Sequence, residues 1–443
     1  MGLRDRLANT HDPEGGVDGI AYYRRRLLEE VNLSEIAELS SAQRRARLER
    51  VVGRMVSREG PVLSTAERTR LIRRVIDEAI GLGVLEPLLA DETVTEIMVN
   101  GPNDIWVERD GQIRRVTASF GGEAELMQTI DRIVSAVNRR VDESSPMVDA
   151  RLPTGERVNV IIPPLSLVGP TLTIRRFPRA FTFDQLVGMA TIDRPTADLL
   201  RSMVRARLSI VVSGGTGSGK TTMLNAMSGF IPTDERIVTI EDSAELQLQQ
   251  PHVVALESRP PNVEGKGQVT IRDLVRNALR IRPDRIVVGE VRGPETLDML
   301  QAMNTGHDGS LTTVHANSTE DSLIRLETLA SMSDVDVPFQ ALRDQINTAV
   351  DVIVQLERSA DGRRRVVEVA AIASRHRDSF RLATIMAFDH DPIGPDRRVT
   401  GRWVHYPLPD ATLERLELRA QPIPDPFLDA ADVQLAPIRE AGG

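Results

Sequence analysis

The order of apolar and polar positions divides the 443-residue chain into blocks of different period. Residues 1–19 are polar and rich in Gly and Asp, and are expected to be a loose terminus. From 22 to 59, Leu27, Leu28, Val31, Leu33, Ile36 and Leu39 recur among charged residues, as in helices with one buried face. The run Arg44-Arg45-Ala46-Arg47 reads as a solvated helix face. Ser64 and Glu67 form a capping-box pair ahead of Leu71, Ile72, Val75, Ile76, Ala79 and Ile80, and Gly81 and Gly83 close that helix. Residues 20–88 are therefore expected to form a helical bundle. The period then changes to two. Strands are predicted at 94–99, at 105–108 and 112–116 around Arg109-Asp110-Gly111, and at 157–162 and 171–177, with an amphipathic helix through Leu126, Ile130, Ile133, Val134 and Val137. This makes 89–180 an α+β domain.

From 181 to 388 short apolar runs alternate with helical stretches. Strands are expected at 208–212, 236–241, 253–256, 285–289, 310–315, 352–356 and 365–372. Helices are expected near 197–205, 271–280, 295–304, 322–329 and 339–349. Runs of this kind are buried on both faces, so a mostly parallel α/β sheet with helices on each side follows. Beyond 389 prolines recur and periodicity fades, which predicts an irregular tail at 389–443 with a strand near Trp403.

Composition narrows the class. No run of 18 apolar residues occurs, so no transmembrane helix is expected, and residues 1–6 lack the apolar stretch of a signal peptide. The chain has no cysteine, which excludes disulfides and Cys-ligated zinc; a cytoplasmic location follows most simply. A net charge of −9 speaks against a general nucleic-acid binder, although a local basic patch is compatible with it. Positive charge is nearly all arginine. Lysine occurs only at Lys220 and Lys266, so Lys220 holds a place where a compact ammonium is needed.

Lys220 lies in Gly214-Gly215-Thr216-Gly217-Ser218-Gly219-Lys220-Thr221-Thr222, a phosphate loop of pattern G-x-x-x-x-G-K-[ST] between an apolar strand and a helix. Its glycines let backbone N–H groups wrap a polyphosphate. Lys220 would reach the β- and γ-phosphates and the Thr221 hydroxyl would hold Mg²⁺. Two acidic clusters follow predicted strands. Glu241, Asp242 and Glu245 crowd three carboxylates together, which suits a bound Mg²⁺ and a polarised water. Glu290 ends the strand at 285–289, where phosphate-loop enzymes place a metal-side acid, but Gly289 stands where an Asp is usual. His307 and His315 flank another strand and could sense the γ-phosphate. In the α+β domain, Arg151, Arg157, Arg175 and Arg176 could meet the γ-phosphate as arginine fingers do. Alternation allows only one of Arg175 and Arg176 on a given face.

Taken together these motifs resemble the secretion and type IV filament ATPase superfamily, and within it the CpaF (TadA) branch of tight-adherence pilus assembly. Residues 214–221 match its Walker A, Glu241-Asp242 with Glu245 its Asp box, Gly289-Glu290 its atypical Walker B, and Thr305-Gly306-His307 through His315 its His box. Asp149-Ala150-Arg151-Leu152-Pro153 with Gly155, Arg157, Val158 and Asn159, then Ile174-Arg175-Arg176-Phe177, look like the CpaF branch in particular, as does Leu85-Glu86-Pro87-Leu88-Leu89 ahead of 97–102. The resemblance implies a cytoplasmic homohexameric ring at the inner face of the membrane. Each subunit would have an N-terminal domain hinged to a RecA-like ATPase domain, with ATP and Mg²⁺ between them, acting on an inner-membrane platform protein and on no nucleic acid. It implies that Glu245 positions water, Glu290 supports Mg²⁺, His307 and His315 read the γ-phosphate, and the four arginines couple nucleotide state to closure. A nucleic-acid-dependent RecA-type motor, a small-molecule kinase and a non-hydrolysing scaffold are the alternatives that the residues leave open.

Overall fold

The computed structural model describes residues 17–31, 41–59, 63–109, 112–176, 180–261, 265–374, 379–394, 397–428 and 438–441. The readings made above for residues 1–16, for Leu33, Ile36 and Leu39, for the Asp110-Gly111 turn and for Phe177 lie outside them. Two compact units divide the chain, residues 1–178 and 179–443.

The first unit opens with α1 (Val17–Glu30), α2 (Ser41–Glu59) and α3 (Thr65–Ile80). Their apolar stripes meet in a core of Ile20, Tyr23, Leu27, Leu48, Val52, Met55, Val56, Leu71, Val75 and Ile76. The capping box at the start of α3 is formed, with Glu67 N donating to Ser64 Oγ at 3.3 Å and Ser64 N to Glu67 Oε2 at 2.7 Å. A 3₁₀ turn (Gly83–Leu85) and α4 (Glu86–Ala90) lead to β1 (Val94–Asn100), β2 (Ile105–Arg109), β3 (Gln112–Arg115), α5 (Glu123–Ala136), β4 (Met147–Arg151), β5 (Arg157–Ile161) and β6 (Thr171–Arg175). The six strands form one antiparallel sheet in the order β3-β2-β1-β6-β5-β4. Alternate residues such as Ile97, Val99, Val158, Val160, Leu172 and Ile174 share a core with Leu126, Ile130, Ile133 and Val134 of α5.

The second unit runs α6 (Phe183–Gly188), α7 (Arg194–Arg205), β7 (Ile210–Gly214), α8 (Lys220–Ser228), β8 (Ile237–Glu241), β9 (Val253–Glu257), α9 (Ile271–Ala278), β10 (Arg285–Val288), α10 (Glu295–Met303), β11 (Leu311–Val314), α11 (Thr319–Ser331), α12 (Phe339–Ala349), β12 (Val352–Arg358), β13 (Arg364–Ile372), β14 (Phe380–His390), β15 (Gly401–His405), α13 (Asp410–Leu418) and β16 (Ile438–Ala441). The sheet order is β15-β14-β13-β12-β7-β11-β10-β8-β9, with β16 also paired to β14. From β12 to β9 all neighbours are parallel; β13 to β16 extend the sheet antiparallel. β7 is buried along its length because each face has a cover. Ile210 and Val212 pack with α7 and α8 residues such as Leu200, Met203 and Leu224, whereas Val211 packs with α10 to α12 residues such as Leu300, Leu326 and Leu342.

The strand expected near Trp403 is β15, but the rest of the tail is more regular than expected. β14 reaches His390, β15 pairs with it, and α13 follows. The Trp403 ring packs against Phe388 with centroids 5.2 Å apart and planes tilted by 54°, and its Nε1 donates to Val366 O at 3.2 Å, while Leu408, Leu416 and Phe427 enter the core that Ile210 and Val212 of β7 share. Two of the prolines that suggested irregular structure sit at element boundaries: Pro409 immediately precedes α13 and Pro424 precedes a 3₁₀ turn.

Candidate functional site

β7 lies between β11 and β12, so its carboxyl end opens at the middle of the parallel sheet, where open α/β sheets bind ligands. The loop after it needs its glycines. A Cβ on Gly214 would lie 2.5 Å from Leu356 O and 2.4 Å from Ser218 Oγ, and Gly217 and Gly219 take φ of +70° and +98°. Gly219 caps α8, so the free N–H groups of its first turn, from Lys220, Thr221 and Thr222, point into the concavity. Ser218 is buried and its Oγ donates to Gly215 O at 2.9 Å. Lys220 Nζ donates to Gly214 O at 2.9 Å and to Gly215 O at 3.1 Å. Burial lowers its pKa, and the negative charge of Glu290 works against that. Glu290 thus lies within electrostatic reach of the phosphate-loop lysine.

The acidic clusters separate into two roles. Glu241 is buried and closes its own loop: Oε1 accepts from Glu245 N at 2.9 Å and from Leu246 N at 3.1 Å. A Cβ on Gly289 would come within 2.8 Å of Glu241 Cγ. The acid usual at that place is missing because the Glu241 stem fills its space. Glu290 is held by Arg292, whose Nε and Nη2 lie 3.0 and 2.5 Å from Oε2. That hydrogen bond is the main cause of a raised Arg292 pKa; the charges of Asp242 and Glu245 add to it. Asp242 is exposed and accepts from Ser258 Oγ at 3.0 Å; Glu245 is half-buried.

The two histidines are not brought together. His315 follows the carboxyl end of β11, whose Val314 is in register with Ser213, so it shares the edge of the phosphate loop and is exposed there. His307 precedes the amino end of β11, with about 13 Å of strand between them. Its Nδ1 lies 3.2 Å from Ala302 O at the end of α10. The expectation that His307 reads the γ-phosphate is therefore corrected within one chain: a parallel strand carries its two ends to opposite edges of the sheet.

Two features escaped the sequence reading. Arg364 opens β13, yet its Nε donates to Gly217 O at 2.9 Å, reaching the phosphate loop from 147 residues away. Beside it lies a cavity of about 490 Å³. Leu186, Met189, Met223 and Leu356 give it apolar walls; Ser218, Gly219, Thr222, Arg363 and Arg364 give it a polar end on the phosphate loop. This is the make-up of a pocket for a flat apolar ring joined to a polyanion. Nothing in local sequence links Arg364 to the loop, because the β12–β13 hairpin makes the connection.

The arginines belong to the first unit. Strand register sets Arg151 opposite Arg157 and Arg157 opposite Arg175, a row of three cations across β4, β5 and β6. Like charges directly opposite are unfavourable unless an anion joins them. Arg176 is turned away from that row. Its Nη1 donates to Val94 O at 3.1 Å and to Asp91 O, so it serves its own unit's backbone.

Whether Mg²⁺ suits the phosphate-loop edge can be judged from the donors. Among the described residues no cluster of three His, Cys, Asp or Glu could hold a metal alone. A half-buried Thr221 hydroxyl in the first turn of α8 and the Glu290 carboxylate are hard oxygen donors, and Mg²⁺ normally takes a few such ligands with phosphate oxygens and water completing its shell. The donors fit that ion.

A family model described as "Type II/IV secretion system protein" matches residues 78–387. A putative conjugal transfer protein of Mycobacterium tuberculosis is 41% identical over 319 residues, covering 70% of this chain and 90% of that protein. The conjugal transfer protein TrbB of Rhizobium radiobacter is 36% identical over 330 residues, covering 72% of this chain and 97% of TrbB. Among solved structures, the pilus retraction motor PilT with bound ADP aligns at a TM-score of 0.50 and 21% identity, covering 76% of this chain and 87% of PilT. That likeness concerns the fold.

Proposed function

Because the chain belongs to the type II/IV secretion system protein family and is an ATPase, we propose that it is the motor of a pilus-assembly or secretion machine, turning ATP hydrolysis into domain movement. The observation that carries this reading is the phosphate-loop edge: a lysine on the loop carbonyls, a carboxylate within its electrostatic reach, and a mixed apolar and polar cavity alongside. Lys220 and the α8 N-terminus would hold the phosphates, with Arg364 beside them. Thr221 and Glu290 would hold Mg²⁺, which neutralises developing charge on the transferring phosphoryl group. Glu245 would orient the attacking water. Glu241 and Asp242 would shape the loop that carries Glu245, and His315 would sense the γ-phosphate. The row Arg151, Arg157 and Arg175 would supply outside positive charge when the units close.

The finer reading is a homohexamer of the tight-adherence pilus branch, acting on an inner-membrane platform protein from the cytoplasmic side. Its support is the phrase from Asp149 to Asn159 and the arginine register within it. Sizing the full chain with and without ATP, paired with a phosphate-release assay, tests the proposal. A mass near six chains and steady turnover that Lys220→Ala abolishes are expected. A single chain that binds ATP without turnover, or turnover that Lys220→Ala leaves intact, would overturn it.

A further inference from the structure

Residues 20–88 carry 13 arginines and ten acids, a net of +3 within a chain of −9. The positive charge is concentrated in residues 41–74, where ten arginines and three glutamates give +7 and leave −16 outside that stretch. Some of this charge is neutralised locally: Arg45 pairs with Asp77 at 2.8 Å and with Glu49 at 3.5 Å. Four arginines are arranged differently. Arg50, Arg54 and Arg58 follow at four-residue steps on α2, which sets them on one face over about 12 Å. Arg68 of α3 leans across to them, donating to Gly53 O at 2.8 Å and to Ser57 Oγ. With Gly53 and Ser57 these four line a hollow of about 500 Å³. All four are exposed, and none forms an ion pair among the described residues. Gly53, a residue that costs roughly 1 kcal/mol in a helix interior, is among the lining residues.

We propose that this hollow binds the phosphate groups of anionic phospholipid headgroups and docks the bundle on an acidic bilayer surface. A guanidinium presents paired N–H donors that match phosphate oxygens, and a row of about 12 Å meets more than one headgroup. No aromatic residue lines the hollow, whereas single-stranded nucleic acid is held by stacking on aromatic rings. A long polyanion would also be repelled by the remaining −16, while a bilayer attracts basic residues only within a Debye length of about 8 Å. The inference extends the membrane-side placement proposed above. Its readout needs no nucleotide, so its failure would leave the ATPase reading untouched.

The test is co-sedimentation of the full chain with vesicles of phosphatidylglycerol and phosphatidylcholine, against vesicles of phosphatidylcholine alone. Binding to the anionic vesicles alone is expected, weakening with salt. Each arginine near an anionic surface changes partitioning by about fivefold, so Arg54→Gln with Arg58→Gln should lower it by roughly 30-fold. A control pair, Arg280→Gln with Arg325→Gln, removes the same charge from exposed positions elsewhere and should change it little. Neither Arg54 nor Arg58 makes a contact the fold needs, so the thermal midpoint should not move. Three results would overturn the proposal: equal binding to both vesicle types or to neither, equal losses in the two pairs, or arginine-dependent binding of duplex DNA without vesicle binding. Competition by millimolar inorganic phosphate supports the phosphate-binding hollow. Displacement by salt but not by phosphate at matched ionic strength would overturn it.

Discussion

The two edges of the parallel sheet use the same charged groups to opposite ends. At the edge where β7 finishes, three cations rest on partners that a ligand could replace: Lys220 on loop carbonyls, Arg364 on Gly217 O, Arg292 on Glu290. At the other edge the charges are locked. Arg285 is fully buried, with Nε 2.6 Å from Glu235 Oε2, Nη1 on Gly309 O and Nη2 on Val204 O. Asp351 accepts from Ser209 N at 2.8 Å and pairs with Arg415, and burial pushes its pKa up to about 6. An ion pair with every donor used stabilises one arrangement; a cation parked on backbone carbonyls can exchange them for a phosphate. The comparison teaches that burial and the kind of partner, more than the identity of a charge, separate scaffold from site: even at the phosphate-loop edge, buried Glu241 and Arg365 are locked on backbone N–H groups and on Asp361.

The strongest way to break this comparison is at Arg285. Arg285→Ala removes a fully buried guanidinium and leaves the buried Glu235 carboxylate with Arg207 alone, 3.3 Å from Oε1, and should cost about 3 kcal/mol of stability in a denaturant titration. A loss below about 1 kcal/mol would mean the locked edge is not locked. Next is Glu290→Gln at the exchangeable edge. ATP binding and thermal midpoint should stay near the parent, while hydrolysis falls about 100-fold, as when a charge-stabilising group is removed. Unchanged turnover would return Glu290 to the scaffold. Gly289→Ala joins the two behaviours, because its Cβ would press on the Glu241 stem. It should cost about 1–3 kcal/mol, with part recovered when Glu241→Asp is added.

The smallest effect is at Asp351. Its folded pKa is raised, so between pH 4 and 6 the folded chain keeps a proton the unfolded chain has lost. The stability this site contributes is present below about pH 4 and is lost as pH rises to about 6. Because the side chain keeps 20% of its surface exposed, the change should be about 1–2 kcal/mol. The thermal midpoint of Asp351→Asn, relative to the parent, should therefore improve from pH 4 to pH 7. A difference independent of pH would show that Asp351 titrates as it does in the unfolded chain.

Much of the phosphate-loop edge was legible because strand, loop and helix are contiguous from Ile210 to Ser228. The row of Arg151, Arg157 and Arg175 could only be guessed at. Its register depends on how three separate strands pair, which no local pattern encodes. His307 and His315 look adjacent in sequence, yet the strand between them, Leu311–Val314, carries the two to opposite ends of the parallel sheet. Arg364 was invisible for the converse reason, since its partner Gly217 lies far away in sequence. The acids of 241–245 were read as one cluster, whereas burial makes Glu241 a backbone clamp and leaves Asp242 in solvent. β14 was missed because Leu382 to Met386 are buried on both faces and show no alternation, a run that periodicity alone does not separate from a buried helix.

The docked tail bears on where this chain may be cut. Similarity to the family ends at residue 387, inside β14, but Trp403 and Phe427 pack into the core that the earlier strands began, and Arg415 pairs with Asp351. A shortened version ending at the similarity limit would strand Asp351 without its guanidinium and bare the aliphatic side chains that Phe427 shields. Expression work on the catalytic unit should accordingly retain residues through Leu428, whatever the extent of recognisable kinship.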